Sequence, residues 1–206
     1  MLQKVSSKDS AVRNLLRQAT QGYHLRLNQH PLLVELTQPT LTLIKYRKLL
    51  TLYFQLYAAL EDRISRYLNQ KVTTFNYSER NKRDWLLTDL EFFHDNPLAV
   101  EYDVDWALPE IKQVGQLIGV LYTIEGSTLG GQVISRSLGK HLGLNNTEGA
   151  CFFYGYGERT SIMWQDFLYF AESISGNPIE CNAAVETAGQ TFQLFQQALD
   201  YSHEQL

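Results

Sequence analysis

The stretch LIGVLYTIEGSTLGGQVISRSL (117–138) is apolar in its first half and rich in glycine in its second. Apolar residues recur there at three- and four-residue steps, which predicts a helix from Pro109, in its first turn, to Gly143, with a bend at the glycines. Each glycine inside a helix costs about 1 kcal/mol relative to alanine, so this segment must meet either another helix or a flat ligand at very close range. Four glycines follow steps of four and seven residues and therefore share one helix face: Gly115, Gly119, Gly126 and Gly130.

Helical periodicity also covers most of the remaining chain. No segment alternates apolar and polar residues with a period of two, so the sequence predicts an all-α fold. There is no repeat, low-complexity tract or linker, and residues 1–206 are expected to form a single domain. Five further helices are predicted. The first is capped by Asp9 or Ser10 and ended by Pro31, the second runs from Thr40 or Thr42 to about Asn69, and the third is capped by Ser78 and ends before Asn96 and Pro97. After a loop containing FFYGYG (152–157), Thr160 caps a helix that ends before Gly176, and Pro178 opens the last one.

Composition limits the classes of protein to consider. With 206 residues, 44% of them hydrophobic and 19% charged, the chain has the balance of a folded globular domain. A net charge of -4 gives no reason to expect nucleic acid or an anionic membrane as the main partner. No apolar run approaches the roughly 18 residues that span a bilayer, and the first residues lack the apolar stretch of a signal peptide. We therefore expect a cytoplasmic protein.

Standard catalytic signatures are missing from the sequence. The two cysteines form no CxxC pair and the five histidines show neither HxxxH nor HExxH spacing, which argues against a protein-ligated zinc site. The chain also has no GxxxxGK[ST] phosphate loop and no GxSxG nucleophile elbow. Any chemistry must therefore be carried by something other than a standard constellation of side chains.

One polar stripe on the first predicted helix offers such a possibility. Arg17, Thr20, His24 and Asn28 follow steps of three, four and four residues and lie beside the apolar face. A neutral imidazole there could ligate a metal brought by a cofactor, and Asn28 could orient the ring. Arg17, roughly 10 Å away along the helix, could reach a carboxylate of the same ligand. The alternative is an ordinary boundary histidine beside a solvated arginine.

Two further groups of residues carry weaker signals. Glu125 and Ser127 could form a catalytic pair, but no histidine stands at a fixed spacing to activate the serine. The basic run Arg80, Lys82 and Arg83 is typical of a solvated helix start, and it could also dock an acidic redox protein.

Two segments taken together resemble the heme oxygenase family: LRQATQGYH (16–24) and YTIEGSTLGGQV (122–133). In that family a TxxxH motif supplies the proximal histidine, and a glycine-rich distal helix lies over the other heme face. FFYGYG, the segment around Trp164 and AGQTFQLF (188–195) are similar to bacterial members that produce biliverdin for phytochromes.

The resemblance implies both a fold and an activity. The fold would be one all-α heme oxygenase-like domain with a kinked, glycine-rich distal helix. The activity would be O2-dependent cleavage of heme to biliverdin, CO and ferrous iron, in which heme is substrate and cofactor at once. Electrons would come from an external donor, a ferredoxin or a reductase. Two alternatives stay open: a heme-binding or heme-trafficking protein that does not turn heme over, and a relative acting on thiamin or another small heterocycle.

The resemblance also assigns roles to particular residues. His24 resembles the axial ligand of the heme iron, Arg17 resembles the partner of a heme propionate, and Thr20 is the threonine of the TxxxH motif. The distal wall and its reaction site would be formed by four residues whose small side chains admit heme and oxygen: Gly126, Ser127, Gly130 and Gly131.

Two positions depart from the common family pattern. The family often has glutamate where this chain has Asn28, whose neutral amide would make the imidazole less anionic. Many members have aspartate where this chain has Ser127, which changes how protons are delivered. A second propionate partner is not marked by any motif, and the candidates are Arg136, Lys140 and Arg159.

Overall fold

The computed structural model describes residues 10–71, 73–96 and 106–204. These residues form helices and no strand, which confirms the predicted all-α class. None of these helices is both long and apolar enough to cross a membrane. The helices are α1 (Ala11–Asn28), α2 (Pro31–Glu35), α3 (Leu43–Gln70), α4 (Lys82–Phe92), α5 (Val114–Leu142), α6 (Cys151–Tyr154), α7 (Thr160–Ala171) and α8 (Pro178–Glu204).

Several helix boundaries fall at the predicted residues because their signals are local. The hydroxyl of Ser10 accepts from the third backbone N–H of α1, and Thr42 does the same for α3. Gly143 ends α5 in the left-handed conformation, with φ of 72°. Pro178 opens α8. Asp9, the other predicted cap of α1, lies outside the described residues.

The predicted start of α4 at Ser78 is wrong. Ser78 is engaged in a turn instead, where its backbone N–H and its hydroxyl both donate to Oδ1 of Asn76. The helix begins at Lys82, and its first N–H groups donate to the carboxylate of Glu61 on α3, 2.6 Å from the N of Lys82. A carboxylate from a distant helix therefore satisfies the donors that a local cap normally satisfies.

The predicted start of α5 at Pro109 is also wrong. The carbonyl oxygens of Leu108 and Pro109 each accept from Nη1 of Arg63 on α3, at 3.0 Å, so they do not start a helical ladder. The helix begins at Val114 behind a capping box formed by Gln113 and Gln116. From there α5 continues through its glycines without a break, and the bend expected at them stays a prediction.

The loop predicted around FFYGYG and the cap predicted at Thr160 need correction as well. Residues Cys151–Tyr154 form the short helix α6, whose first N–H groups donate to both carboxylate oxygens of Asp89 on α4. A 3-10 turn, Gly157–Arg159, leads directly into α7, so Thr160 is the first residue of that helix and its hydroxyl donates to the carbonyl of Gly157. The first helix ends at Asn28, before Pro31 as predicted, and Pro31 itself opens α2.

The core is built around α3, α5 and α8. Eleven residues of α3 are buried, including Leu50, Leu56 and Leu60, which fits a helix covered on more than one side. The first two glycines of α5 allow α8 to come very close: a Cβ built at Gly115 would lie 2.1 Å from the carbonyl oxygen of Glu180, and one at Gly119 would lie 2.5 Å from that of Ala184. At these two positions the close neighbour is another helix.

Candidate functional site

A cavity of about 790 Å³ opens between α1 and α5. This volume lies within the range of ligand pockets, and most of the wall is apolar or aromatic. The cavity brings together every residue to which the resemblance gave a definite role, but none of the three candidates for a second propionate partner. Its lining includes, from α1, Arg17, Thr20, His24 and Asn28, and from α5, Gly126, Ser127, Gly130 and Gly131.

On the α1 wall, His24 is exposed to the cavity and oriented by its neighbours. Nδ2 of Asn28, one turn later, lies 3.1 Å from Nδ1 of His24. The ring of Phe192 on α8 meets the imidazole edge to face, with the ring centres 6.2 Å apart. Since Asn28 engages Nδ1, the other ring nitrogen, Nε2, is the one available to a ligand.

Thr20 has a mainly structural place in this wall. Its side chain is 2% exposed, and its hydroxyl donates to the carbonyl oxygen of Leu16 at 2.7 Å. It also lies close enough to Tyr122 on α5 to affect the pKa of that phenol. Burial raises the pKa of Tyr122, while the Thr20 hydroxyl and the nearby guanidinium groups of Arg13 and Arg17 lower it.

The glycines in the α5 wall of the cavity face different neighbours. A Cβ at Gly130 would meet nothing within 4 Å, and one at Gly126 would only make ordinary contact with the ring of Trp164, at 3.8 Å. A Cβ at Gly131, in contrast, would lie 2.7 Å from the carbonyl oxygen of Phe153 on α6. Gly126 and Gly130 therefore keep the cavity open, and Gly131 lets α6 pack against α5.

Ser127 lies at the foot of this wall beside a tyrosine that sequence reasoning did not single out. The Ser127 hydroxyl donates to the carbonyl of Ile124 at 2.8 Å, and its oxygen is 3.4 Å from the phenol oxygen of Tyr57 on α3. Burial raises the pKa of Tyr57 well above its usual value, so the phenol stays protonated at neutral pH. Its position inside the periodic apolar stripe of α3 gave no signal of a role in the site.

The basic run Arg80, Lys82 and Arg83, at the entry to α4, is not the solvated surface that the sequence suggested. Arg80 is 4% exposed and Lys82 1% exposed. Both donate to the carboxylate of Glu125, Arg80 at 2.7 Å. A buried carboxylate needs such partners, which is why these cations turn inward. Of the three residues only Arg83 is partly exposed, 3.6 Å from Asp62. The docking of an acidic redox protein near this run stays a prediction, to which only Arg83 offers a partly exposed cation.

A second cation does line the cavity, but it is not one of the three candidates. Arg13, one turn before Arg17 on α1, belongs to the lining, whereas Arg136, Lys140 and Arg159 do not. Arg159 instead binds Glu79 at 2.7 Å. The sequence could have identified Arg13 as a candidate, because it stands four residues before Arg17 and continues the same helical stripe.

Comparison with known proteins agrees with this geometry. The sequence profile of the family described as "Heme oxygenase" matches residues 10–200. The chain belongs to the heme oxygenase family. It is 28% identical over 150 residues to a heme oxygenase of Takifugu rubripes, an alignment that covers 67% of this chain and 54% of that protein. The chain thus spans about half the length of this curated relative.

Solved heme oxygenase structures share the fold. Heme oxygenase-2 from Synechocystis, crystallised with heme and NO, superposes with a TM-score of 0.77 at 19% identity, covering 94% of this chain and 85% of that one. The NO- and CO-bound heme oxygenase from Neisseria meningitidis gives 0.74 at 21% identity, covering 94% and 92%. At these identities the similarity concerns the fold of this heme oxygenase family member.

Proposed function

We propose that this protein cleaves heme, with O2 and electrons, to biliverdin, CO and ferrous iron. The observation that carries the proposal is a single cavity in which the imidazole of His24 on α1 accompanies two positions of α5, Gly126 and Gly130, that present no side chain. A flat ligand with a metal ion at its centre needs this combination of a metal-ligating side chain on one wall and closely approaching backbone on the other.

The residues present fit heme in polarity as well as in shape. Aromatic rings from several helices line the cavity, among them Tyr53, Phe152, Trp164 and Phe195. The lining contains no aspartate or glutamate among the described residues, and it includes the cations Arg13, Arg17 and Lys82. An apolar macrocycle with two carboxylates matches such a lining.

His24 and Asn28 would form the proximal side. If Nε2 of His24 binds iron, Nδ1 carries the proton and needs an acceptor. The side-chain amide of Asn28, with its donor nitrogen now 3.1 Å from Nδ1, can present its oxygen after rotating by half a turn. The neutral amide orients the ring without adding negative charge.

Arg17 and Arg13 would bind the propionates. They stand one turn apart on α1 and both lie close enough to Tyr122 to affect its pKa. This places the two guanidinium groups together at one end of the cavity, which would set the in-plane orientation of the macrocycle.

Bound heme supplies the oxygen-activating iron and the carbon that is oxidised. The chain would contribute binding, orientation and exclusion of bulk water. Gly126 and Gly130 leave room at the distal face, and the hydroxyls of Ser127 and Tyr57 are placed to hold a water molecule there. The segments FFYGYG (152–157) and AGQTFQLF (188–195) resemble those of bacterial members that serve phytochromes, which supports the same role for this protein. Its electrons would come from a ferredoxin or a reductase.

A second candidate function is heme binding without turnover. It is favoured by one observation, the lack of any carboxylate in the described cavity lining where many members carry an aspartate in place of Ser127. Proton delivery would then rest on hydroxyl groups alone.

A spectral time course distinguishes the two functions. The hemin complex is followed in air with ascorbate or a ferredoxin system, in the presence of catalase, for the wild type and for His24→Ala. Turnover predicts decay of the Soret band with growth of a bilin band in the wild type, and loss of the histidine-ligated spectrum in His24→Ala. A hemin complex that persists with both donors would favour the carrier function, and no 1:1 complex would contradict both.

A further inference from the structure

A buried charged cluster lies behind the distal wall, next to the glycines. Its members are Glu125 on α5, Arg80 just before α4, Lys82 at the start of α4, and Tyr156 in the turn after α6. Glu125 is 1% exposed and directly precedes Gly126 in the chain. Its carboxylate accepts from Arg80, from Lys82 and from the hydroxyl of Tyr156, which is 2.9 Å from Oε2.

All three N–H donors of the Lys82 ammonium group have an acceptor. The group donates to the carbonyl of Arg80 at 2.8 Å, to the hydroxyl of Tyr156 at 3.0 Å and to Oε1 of Glu125. Three donors with three acceptors leave the group fixed in one orientation. Although it is 1% exposed, the side chain forms part of the cavity wall together with Trp85.

The cluster is not neutral by itself. One carboxylate, that of Glu125, serves two cations, and the next carboxylate, Glu61, is bound to the backbone N–H groups of Lys82 and Arg83 and to the hydroxyl of Tyr77. Burial lowers the pKa of Lys82, and Glu125 opposes that shift by favouring the charged amine. The contact with the carboxylate of Glu125 thus favours the charged form of Lys82, which burial alone disfavours.

We propose that Lys82 is an anion-stabilising residue of the distal wall, with Glu125 and Tyr156 as the positioning residues that hold it there. The inference rests on the proposed function, since it concerns what binds on the distal face of bound heme. A fixed positive charge in a water-excluded wall acts over a longer range than an exposed one, because the effective dielectric constant is low. Three cations belong to the described lining of the cavity. Arg13 and Arg17 lie on α1, whereas Lys82 lies on the opposite side, where it is paired with Glu125 of α5.

Ligand affinity of the ferric hemin complex tests this charge without any turnover. Azide is the anionic probe, titrated at constant pH and ionic strength, and CO bound to the ferrous complex is the neutral one. Lys82→Gln and Lys82→Met remove the charge and should each weaken azide binding by about tenfold, the order expected for the loss of one unit charge near a site of low effective dielectric constant. Lys82→Arg keeps the charge and should stay within about twofold of the wild type. CO affinity should change little in all three.

The controls separate charge from structural damage. A merely structural role would move azide and CO affinity together, and it would affect Lys82→Arg, which is bulkier, as much as Lys82→Gln. Lys82→Gln keeps hydrogen-bonding groups for Glu125 and Tyr156, so it carries the test if Lys82→Met does not fold. Equal azide affinity in Lys82→Gln, Lys82→Arg and the wild type would overturn the inference alone. Failure of the wild type to form a His24-dependent hemin complex would overturn the proposed function as well.

Discussion

The phenol oxygen of Tyr57 lies 3.4 Å from the hydroxyl oxygen of Ser127, and these two residues come from α3 and α5, 70 positions apart. Because the Ser127 hydroxyl donates to Ile124, its oxygen is free to accept from Tyr57 or from a water molecule. The pair places two hydroxyl groups at the point of the distal wall where many family members have a carboxylate.

Removal of either hydroxyl should slow heme consumption without weakening hemin binding. We expect Tyr57→Phe and Ser127→Ala each to lower the rate by about tenfold or more, since positioned proton donors contribute at least that much. The double variant should be little slower than either single one, because both act through one hydrogen-bonded unit. Single-turnover decay of the Soret band measures the rate, and hemin titration measures affinity. Fully multiplicative losses would show that the two hydroxyls act separately.

Gly130→Ala and Gly131→Ala should differ in kind although the residues are adjacent. The added methyl at Gly130 meets nothing within 4 Å, so the apoprotein should gain up to about 1 kcal/mol of unfolding free energy from helix propensity, while hemin affinity falls. At Gly131 the methyl would lie 2.7 Å from the carbonyl oxygen of Phe153, and the apoprotein should lose about 1–3 kcal/mol. Denaturant unfolding of both apoproteins makes the comparison, and equal stabilities would contradict it.

Asn28→Glu should strengthen the bond between His24 and the heme iron. A carboxylate one turn after His24 accepts from Nδ1–H more strongly than an amide and makes the imidazole more anionic. We expect a higher iron–histidine stretching frequency in the ferrous complex, measured by resonance Raman scattering. Gln29→Glu is the matched control, because it adds the same charge at the next residue, an exposed position. An equal shift in both variants would assign the effect to net charge.

Arg17→Ala should weaken hemin binding by about tenfold, which corresponds to the loss of one charge-assisted contact of about 1.4 kcal/mol. The discriminating ligand is hemin dimethyl ester, whose propionates carry no charge. The wild type and Arg17→Ala should bind the ester with nearly equal affinity. Arg136→Ala, on α5 but outside the cavity lining, is the control and should bind both ligands as the wild type does. A loss that persists with the ester would argue for a packing role of Arg17.

Asp89 should make the protein less stable as the pH rises from about 4 to about 6. Burial raises its pKa to about 6, although the N–H groups of Cys151 and Phe152 oppose the shift. The folded state then retains a proton that the unfolded state releases near pH 4, so stability is fully present below pH 4 and is lost as the pH rises through 6. The loss is on the order of 2–3 kcal/mol.

The variant Asp89→Asn tests this assignment. The amide does not titrate, so the unfolding free energy of the wild type should exceed that of the variant by more at pH 4 than at pH 7. The variant also loses one acceptor for the N–H groups of α6, which lowers its stability at every pH. Parallel pH profiles for the two proteins would assign the titration to another group.

Local signals made much of the fold readable in advance. Ser10, Thr42, Gly143 and Pro178 act on the backbone within a few residues, so their effect depends little on the rest of the molecule. The start of α4 could not be read in this way, because Glu61, more than 20 residues earlier, satisfies its N–H groups.

By itself, the sequence determined the longer helices, apart from some of their starts, and the two segments that line the cavity from α1 and α5. Periodicity and the spacing of His24 from Asn28 are properties of a single helix. Tertiary structure decided what each residue meets. Gly119 and Gly130 look alike in the sequence, yet one touches the backbone of α8 and the other faces open space. Lys82 looks like a surface residue and is buried against Glu125, 43 positions away. Burial and charge pairing depend on groups that only folding brings together, and for that reason no local pattern records them.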